Sequence, residues 1–314
     1  MAADLVQDGL RNGTKKTYST AQKTYMQFCL LHHMVPMPAS EMTILRYLAY
    51  LHIKKLAPST IKVYLASLHS LHELNGYPAP DTTAYRIRLA LRAITDQGAS
   101  SKQSSPITFV LLQFIIDNVM HKPNGLLYAT MLAVGFFGAL RGCEYAAVYS
   151  QHGLISAPSM DQVQFISDQG RLAIIYTLKK SKTSDKPIQI PIGCSTHRIC
   201  AVCLLVEYIR ARFAASSYHP KAYLFTFPDG RPVPKHALNS VIKTEIQCLG
   251  LNPTGYTTHS LRSGAATTAG QLGFSENQIK QLGHWSSSAY LTYVQHSQHS
   301  RLQFSQRLSQ QVLQ

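Results

Sequence analysis

Near the end of this 314-residue sequence, side chains able to move protons and bind anions recur at close intervals. His259 and Arg262 stand three residues apart, His284 follows inside Gly283-His284-Trp285, and Tyr290 and Tyr293 come six and nine residues after that histidine. On a helix the three-residue step puts His259 and Arg262 on one face. Their neighbours Ser263, Gly264, Ala265, Ala266 and Ala269 are small, so another backbone can approach closely. Upstream, Arg141 ends a wholly apolar segment with Glu144 three residues on, and Lys179, Lys180 and Lys182 crowd a polar connection between two strand-like runs. This set suits phosphoryl transfer without a metal. Arginines neutralise the non-bridging oxygens, a histidine handles the nucleophile's proton, a lysine protonates the departing alkoxide and a tyrosine phenolate attacks phosphorus. For Arg141 and Glu144 taken alone, a structural ion pair explains the residues equally well, because an unpaired buried guanidinium is costly.

Composition bounds what these groups act on. Lys and Arg number 30 against 15 Asp and Glu, a formal net charge of +15. The first 96 residues carry 11 basic and 6 acidic groups and the remainder 19 and 9, so both halves are basic, by 5 and by 10. Such an excess points to a polyanionic partner, nucleic acid foremost. Asp4, Asp8 and Arg11 interrupt any apolar leader, so an intracellular protein is expected. The longest apolar run, residues 126–140, is 15 residues long. That is shorter than the roughly 18–20 needed to span a bilayer, and it reads as a buried helix.

The elements that must position the chemistry follow from periodicity and punctuation. Residues 1–14 read as a frayed leader. Helices are then expected from Lys15 to about Cys29, from Ser40 to about Lys55, from Pro58 to Asn75 and from Thr82 to Ile94, with Pro36, Pro38, Pro78 and Pro80 as breaks. Four such helices make a compact all-α unit, assigned to residues 1–96. Lys15, Lys16, Lys23, Lys54, Lys55, Thr60 and Lys62 gather near its helix ends, and as a group they suit phosphate contact. Any one of them alone is accounted for as a solvated surface lysine or threonine. The Gly/Ser/Gln-rich stretch 97–106 reads as a linker, and a joint between two basic units would let the chain close on a duplex as a clamp.

From residue 107 the pattern is mixed. A helix over 108–120 and the buried helix come first, then a three-stranded meander over 163–192 with the lysine-rich connection between its second and third strands. Helices are expected over 202–213 and 234–249 with a short strand, 224–227, between them. A capping box at Ser275–Gln278 opens a short helix that Gly283 ends, presenting His284 on the bend. The fold class is therefore an N-terminal all-α domain plus an α+β domain, mostly helical with a small antiparallel three-stranded sheet. Six cysteines at irregular positions read as reduced thiols. Cys194, His197, Cys200 and Cys203 are each three residues apart, but structural zinc sites place ligand pairs on separate elements, so no metal is assigned to them.

The ordered set of an arginine with a glutamate three on, a hairpin lysine, His-x-x-Arg, Gly-His-Trp and a tyrosine nine residues later resembles the tyrosine recombinase (phage integrase) family across essentially the whole chain. The resemblance implies that Arg141, Lys182, His259, Arg262, His284 and Tyr293 are catalytic, with Glu144 in support. Lys182 is preferred over Lys179 and Lys180 because Ser181-Lys182-Thr183 matches the family's hairpin motif, and Tyr293 over Tyr290 by its spacing from His284. The implied reaction cleaves and rejoins DNA through a 3′-phosphotyrosine, using no cofactor, in a homotetramer on two duplexes. Residues 107–314 become the catalytic domain, with Leu302, Leu308, Val312 and Leu313 in a C-terminal docking helix. In the flavour of its N-terminal domain the chain is similar to the recombinases of eukaryotic mobile elements, those of DIRS-like retrotransposons and Cryptons, which would place it in the nucleus. A catalytically silent DNA-binding descendant and a type IB topoisomerase are the competing readings.

Overall fold

The computed structural model describes residues 9–97, 104–179, 186–214, 219–285 and 291. The chain divides into two compact units, Met1–Lys102 and Gln103–Gln314. Among the described residues, the first contains four helices, α1 (Asn12–Leu31), α2 (Glu41–Ile53), α3 (Pro58–Leu74) and α4 (Tyr85–Gln97). Helix α1 begins before Lys15, so residues 12–14, expected in the leader, are helical; Arg11 is the extended residue at its start. Ser40 caps α2 by accepting from the Thr43 N–H, and Pro58 occupies the first turn of α3, where its missing N–H costs nothing. Helix α4 starts at Tyr85 rather than Thr82 because Asp81 accepts from both the N–H (2.8 Å) and the hydroxyl (2.6 Å) of Thr83, which holds a turn there. Tyr25, Phe28, Tyr47, Leu48, Leu51, Ile61, Leu68 and Ile87 form the core of this unit. The Tyr25 and Tyr47 rings meet edge-on at 5.1 Å, and the Tyr25 hydroxyl donates to the Pro36 carbonyl at 2.8 Å.

The second unit is arranged around α6 (Gly125–Phe137), an almost wholly buried helix against which α5 (Phe109–Met120), α8 (Ala201–Phe213) and α10 (Thr258–Gln271) pack. Each large side chain such as Leu132 or Phe136 that it removes from water contributes roughly 1.5–3 kcal/mol. No helix among the described residues is long and apolar enough to cross a membrane. Helix α6 stops three residues earlier than the apolar run does. Gly138 caps it and Ala139 takes a left-handed conformation (φ 44°), which turns the chain before α7 (Gly142–Tyr145).

Two antiparallel sheets follow. β1 (Val148–Ser150) pairs with β2 (Gly153–Ser156) in a small exposed hairpin that periodicity does not reveal, because its residues bury no face. β3 (Val163–Asp168), β4 (Arg171–Leu178) and β5 (Ile188–Gly193) form the expected meander, with Asp168 opposite Arg171 and Leu178 opposite Ile188. Ile174, Tyr176 and Leu178 alternate inward along β4, which seats the sheet on the core. The strand expected over 224–227 is absent: Tyr223 and Thr226 make only isolated bridges, to Ser159 and Pro232. The chain returns through α8, α9 (Lys235–Cys248), α10 and α11 (Glu276–Gly283).

Residues 104–107, partly within the expected linker, are bonded into the second unit. The Ser105 N–H donates to the Gly255 carbonyl (3.0 Å) and the Ile107 N–H to the Ser260 carbonyl (2.9 Å). Ile107 is fully buried where it crosses α10, and the crossing is so close that a Cβ on Gly264 would lie 1.7 Å from the Ile107 carbonyl oxygen.

Candidate active site

The turn after α6 builds the first corner. Arg141 is extended (φ −75°, ψ 145°) at the start of α7, and Glu144 folds back on it, accepting from its backbone N–H at 2.7 Å and from its Nη1 at 2.8 Å. The glutamate side chain is 5% exposed and the arginine 21%, so a buried carboxylate orients a guanidinium that still reaches solvent. Tyr176 on β4 donates its hydroxyl to the Glu144 carbonyl at 2.9 Å, which ties the sheet to this corner. The structural reading holds here: Arg141 and Glu144 form an ion pair, and part of Arg141 remains exposed.

Helix α10 supplies the second corner. The Thr257 hydroxyl accepts from the His259 N–H at 3.2 Å, the Ser260 hydroxyl accepts from the Thr257 N–H at 3.0 Å, and the Asn239 carboxamide of α9 accepts from the Thr258 N–H at 2.8 Å. These bonds fix where α10 begins, and with it His259. Arg262, one turn on, is 1% exposed. Its Nη1 donates to the Ala139 carbonyl and its Nη2 to the Gly283 carbonyl, so one guanidinium joins the end of α6 to the end of α11. Its Cζ lies 4.4 Å from the centre of the Trp285 ring, a cation–π contact.

The third corner is His284. Ser275 caps α11 and accepts from Gln278, as the capping-box reading expects, and His284 ends the helix in the left-handed region (φ 53°). Its Nε2 is buried with no hydrogen-bond partner among the described residues. A buried ring nitrogen left this way is a place where a ligand oxygen can dock.

Lys235 is the site residue that the sequence analysis missed. The Ala147 backbone pairs with that of residues 233–235, accepting from the Lys235 N–H at 3.0 Å, and this brings the start of α9 alongside α7. A Cβ on Gly142 would come within 3.0 Å of Lys235 Cε and 2.3 Å of Thr258 Oγ1, so only glycine lets these elements approach. Nothing local marks Lys235, since its place depends on a pairing between segments almost ninety residues apart.

Electrostatics show which groups share the site. Burial holds the His259 imidazole below its ordinary value of 6.5, and Arg262, Lys235 and Arg141 push the same way. His284 is lowered by burial and then by Arg262 and Arg141, with Glu144 opposing. Both rings are therefore neutral at pH 7, able to accept a proton or to donate from one nitrogen. A depressed folded-state value means that the unfolded chain binds more protons below 6.5, so stability is full above that pH and is lost as pH falls towards the folded values. Thermal melts between pH 7.5 and about 5 should therefore show a falling midpoint, and a His259→Gln, His284→Asn double variant should flatten the slope. An unchanged slope would exclude these histidines as its source.

Arg141, Glu144, His259, Arg262 and His284 are thus gathered from α7, α10 and the end of α11. Lys182, Tyr290, Tyr293 and the segment with Leu302, Leu308, Val312 and Leu313 lie outside the described residues. In the first unit, Lys15 and Lys16 stand at the fourth and fifth positions of α1 and Lys23 midway along it. Lys54 and Lys55 follow α2, and Thr60 and Lys62 open α3; of the seven, all but the half-buried Lys15 and Thr60 are exposed.

No protein-family model matches the chain. Among curated proteins it is similar to an integrase/recombinase xerD homolog of Selenomonas ruminantium, at 24% identity over 306 residues, covering 90% of this chain and 82% of that protein. Among solved structures it is similar to the Tn1549 transposon integrase in complex with transposon right end DNA (TM-score 0.61, 15% identity, 96% of this chain and 95% of that one). It is also similar to the XerH site-specific recombinase bound to a palindromic difH substrate (TM-score 0.66, 15% identity, 94% and 79%). A lambda integrase dimer bound to a COC′ core site matches with TM-score 0.58 and 17% identity over 93% of this chain and 91% of that one. At these identities the structural likeness is one of fold.

Proposed function

We propose that this chain, which carries the tyrosine recombinase fold, is a site-specific DNA recombinase that breaks and rejoins strands through a 3′-phosphotyrosine. One observation supports this reading above the others. Arg141, Lys235 and Arg262 all act on His259 at one place, where a phosphodiester would meet positive charge and a neutral proton acceptor together. Arg141, oriented by Glu144, and Arg262 take the non-bridging oxygens, and Lys235 adds positive charge beside them. His259 handles the tyrosine proton, and His284 Nε2 hydrogen-bonds a phosphate oxygen. Lys182 delivers a proton to the departing 5′-oxygen. Tyr293 attacks phosphorus, and a 5′-hydroxyl from a partner duplex reverses the step. The phosphotyrosine conserves the energy of the broken bond, so the cycle needs no nucleotide hydrolysis and calls on no cofactor.

Exchange between two duplexes requires four active sites, hence a homotetramer, with the C-terminal segment 302–313 docking on a neighbour. The first unit, built on residues 1–96, serves as core-DNA-binding domain and the second, built on 107–314, as catalytic domain; of the expected linker 97–106, residues 104–106 are bonded into the second. The exposed Lys16, Lys23, Lys54, Lys55 and Lys62, with Lys15 and Thr60, hold the phosphate backbone in the first of these. A chain acting on DNA in this way works inside the cell, in the nucleus where the host is eukaryotic.

The test is a nicked suicide duplex carrying a site selected by this protein from a random-sequence pool. Wild type should give a covalent protein–DNA band that survives denaturation, Tyr290→Phe should retain it and Tyr293→Phe should lose it. No band from wild type, or a band that persists in Tyr293→Phe, sinks the assignment. Exchange between two labelled duplexes, as against relaxation of supercoils alone, separates a recombinase from a topoisomerase.

A further inference from the structure

The cysteines set aside in the sequence fold into a cluster that the strand-transfer chemistry does not use. Cys194 directly follows β5, Cys200 is the residue that caps α8, and Cys203 lies in the first turn of that helix. The ligands therefore come from two separate elements, the end of β5 and the start of α8, despite their close spacing. Cys194 Sγ lies 3.4 Å from Cys203 Sγ and 3.6 Å from Cys200 Sγ, and all three sulfurs fall within 4.8 Å of one another. Three sulfurs around one tetrahedral zinc ion with bonds of about 2.3 Å stand about 3.8 Å apart, whereas a disulfide needs about 2.05 Å.

The surroundings suit thiolates. The Ser195 N–H donates to Cys200 Sγ at 3.3 Å, and the Cys203 N–H donates to the same sulfur. The cluster also sits at the positive end of the 13-residue helix α8. Cys200 is buried, Cys194 half-buried and Cys203 exposed, so the group opens to solvent on one side. His197 does not join it: its Nε2 lies 3.0 Å from the Gln113 carboxamide and its Nδ1 accepts from the Ile199 N–H at 3.3 Å.

We propose that Cys194, Cys200 and Cys203 form a binding site for a soft divalent cation of the zinc class, with three thiolate ligands and a fourth position taken by solvent. The ion fastens the end of β5 to the start of α8. Because β5 begins at the connection that carries Lys182, the site anchors the far end of the strand behind that lysine. Its role is structural and does not depend on the strand-transfer reading.

The full chain, stripped with a chelator under reducing conditions, is titrated first with cobalt(II) and then with zinc. Wild type should take up one cobalt per chain with thiolate charge-transfer absorption, which zinc then abolishes. Cys194→Ser and Cys203→Ser should each lose it, and Cys248→Ser, at the end of α9, should keep it. Alkylation mapped by mass spectrometry gives a readout on wild type alone: zinc should shield Cys194, Cys200 and Cys203 and leave Cys248 reactive. Absence of the cobalt–thiolate bands, their survival in both variants, or alkylation of the three cysteines indifferent to zinc would overturn the proposal.

Discussion

Alanine at Arg262 should lower single-turnover DNA cleavage by on the order of 10²- to 10³-fold and destabilise the second unit by about 3 kcal/mol. Both losses come from one guanidinium. The first is the usual effect of removing a donor aimed at developing negative charge. The second arises because the Ala139 and Gly283 carbonyls lose a charged donor in a site where the side chain was 1% exposed, and because Trp285 loses the cation beneath its ring. Arg262→Lys separates the two. An ammonium keeps the charge but cannot span both carbonyls as a planar fork does, so the variant should fold and still cleave slowly. Single-turnover cleavage and thermal melts, measured on all three proteins, provide the check. A folded Arg262→Lys protein with the wild-type rate would remove Arg262 from the chemistry and leave it a structural tie.

The second large effect is expected far from any phosphate. Gly264→Ala should cost about 3 kcal/mol, at the upper end of overpacking effects, and lower the melting midpoint by roughly 6–12 °C. The new Cβ would meet the Ile107 carbonyl oxygen at 1.7 Å and its carbon at 2.4 Å. These are backbone atoms, unable to swing aside as a side chain would. Ile107 is held to the same helix by its N–H bond to Ser260, so relief would require the segment 104–107 to lift off α10. Gly193→Ala is the matched control, since a Cβ there meets nothing within 4 Å, and it should stay within about 0.5 kcal/mol of wild type. Equal melting of the two variants would mean that the crossing at Gly264 is looser than described.

What was readable beforehand divides by the range of the interactions. The caps at Ser40 and Ser275, the proline opening α3 and the His259–Arg262 face were legible, because each depends on residues within a turn of one another. The meander was legible from the period-two pattern of β4 and from the turn at Gln169 and Gly170, both with positive φ. The hairpin of β1 and β2 was not, since nothing along it is buried. Lys235 was invisible because its position depends on the pairing of residue 147 with residue 234. The small residues of α10 showed that something approaches the helix without showing that it is the segment 104–107. For the cysteines, spacing along the chain did not show that the sulfurs of Cys194, Cys200 and Cys203 lie within 4.8 Å of one another. The path of residues 194–200 between β5 and α8 sets the sulfur distances, and no local pattern announced it.

The left-handed turn at Ala139 has a thermodynamic consequence. Its carbonyl holds Arg262, and Arg141 follows it by two residues, so one short stretch of backbone registers both guanidinium groups. The fold therefore brings two guanidinium groups to one short stretch of backbone, and the buried Glu144 carboxylate pairs with Arg141. On the proposed reading, a phosphate bound by both guanidinium groups becomes, in effect, a part of the folded state. Occupancy and local stability are then linked quantities: the free energy that holds a phosphate in the site also holds the ends of α6, α10 and α11 together, and neither can change without the other.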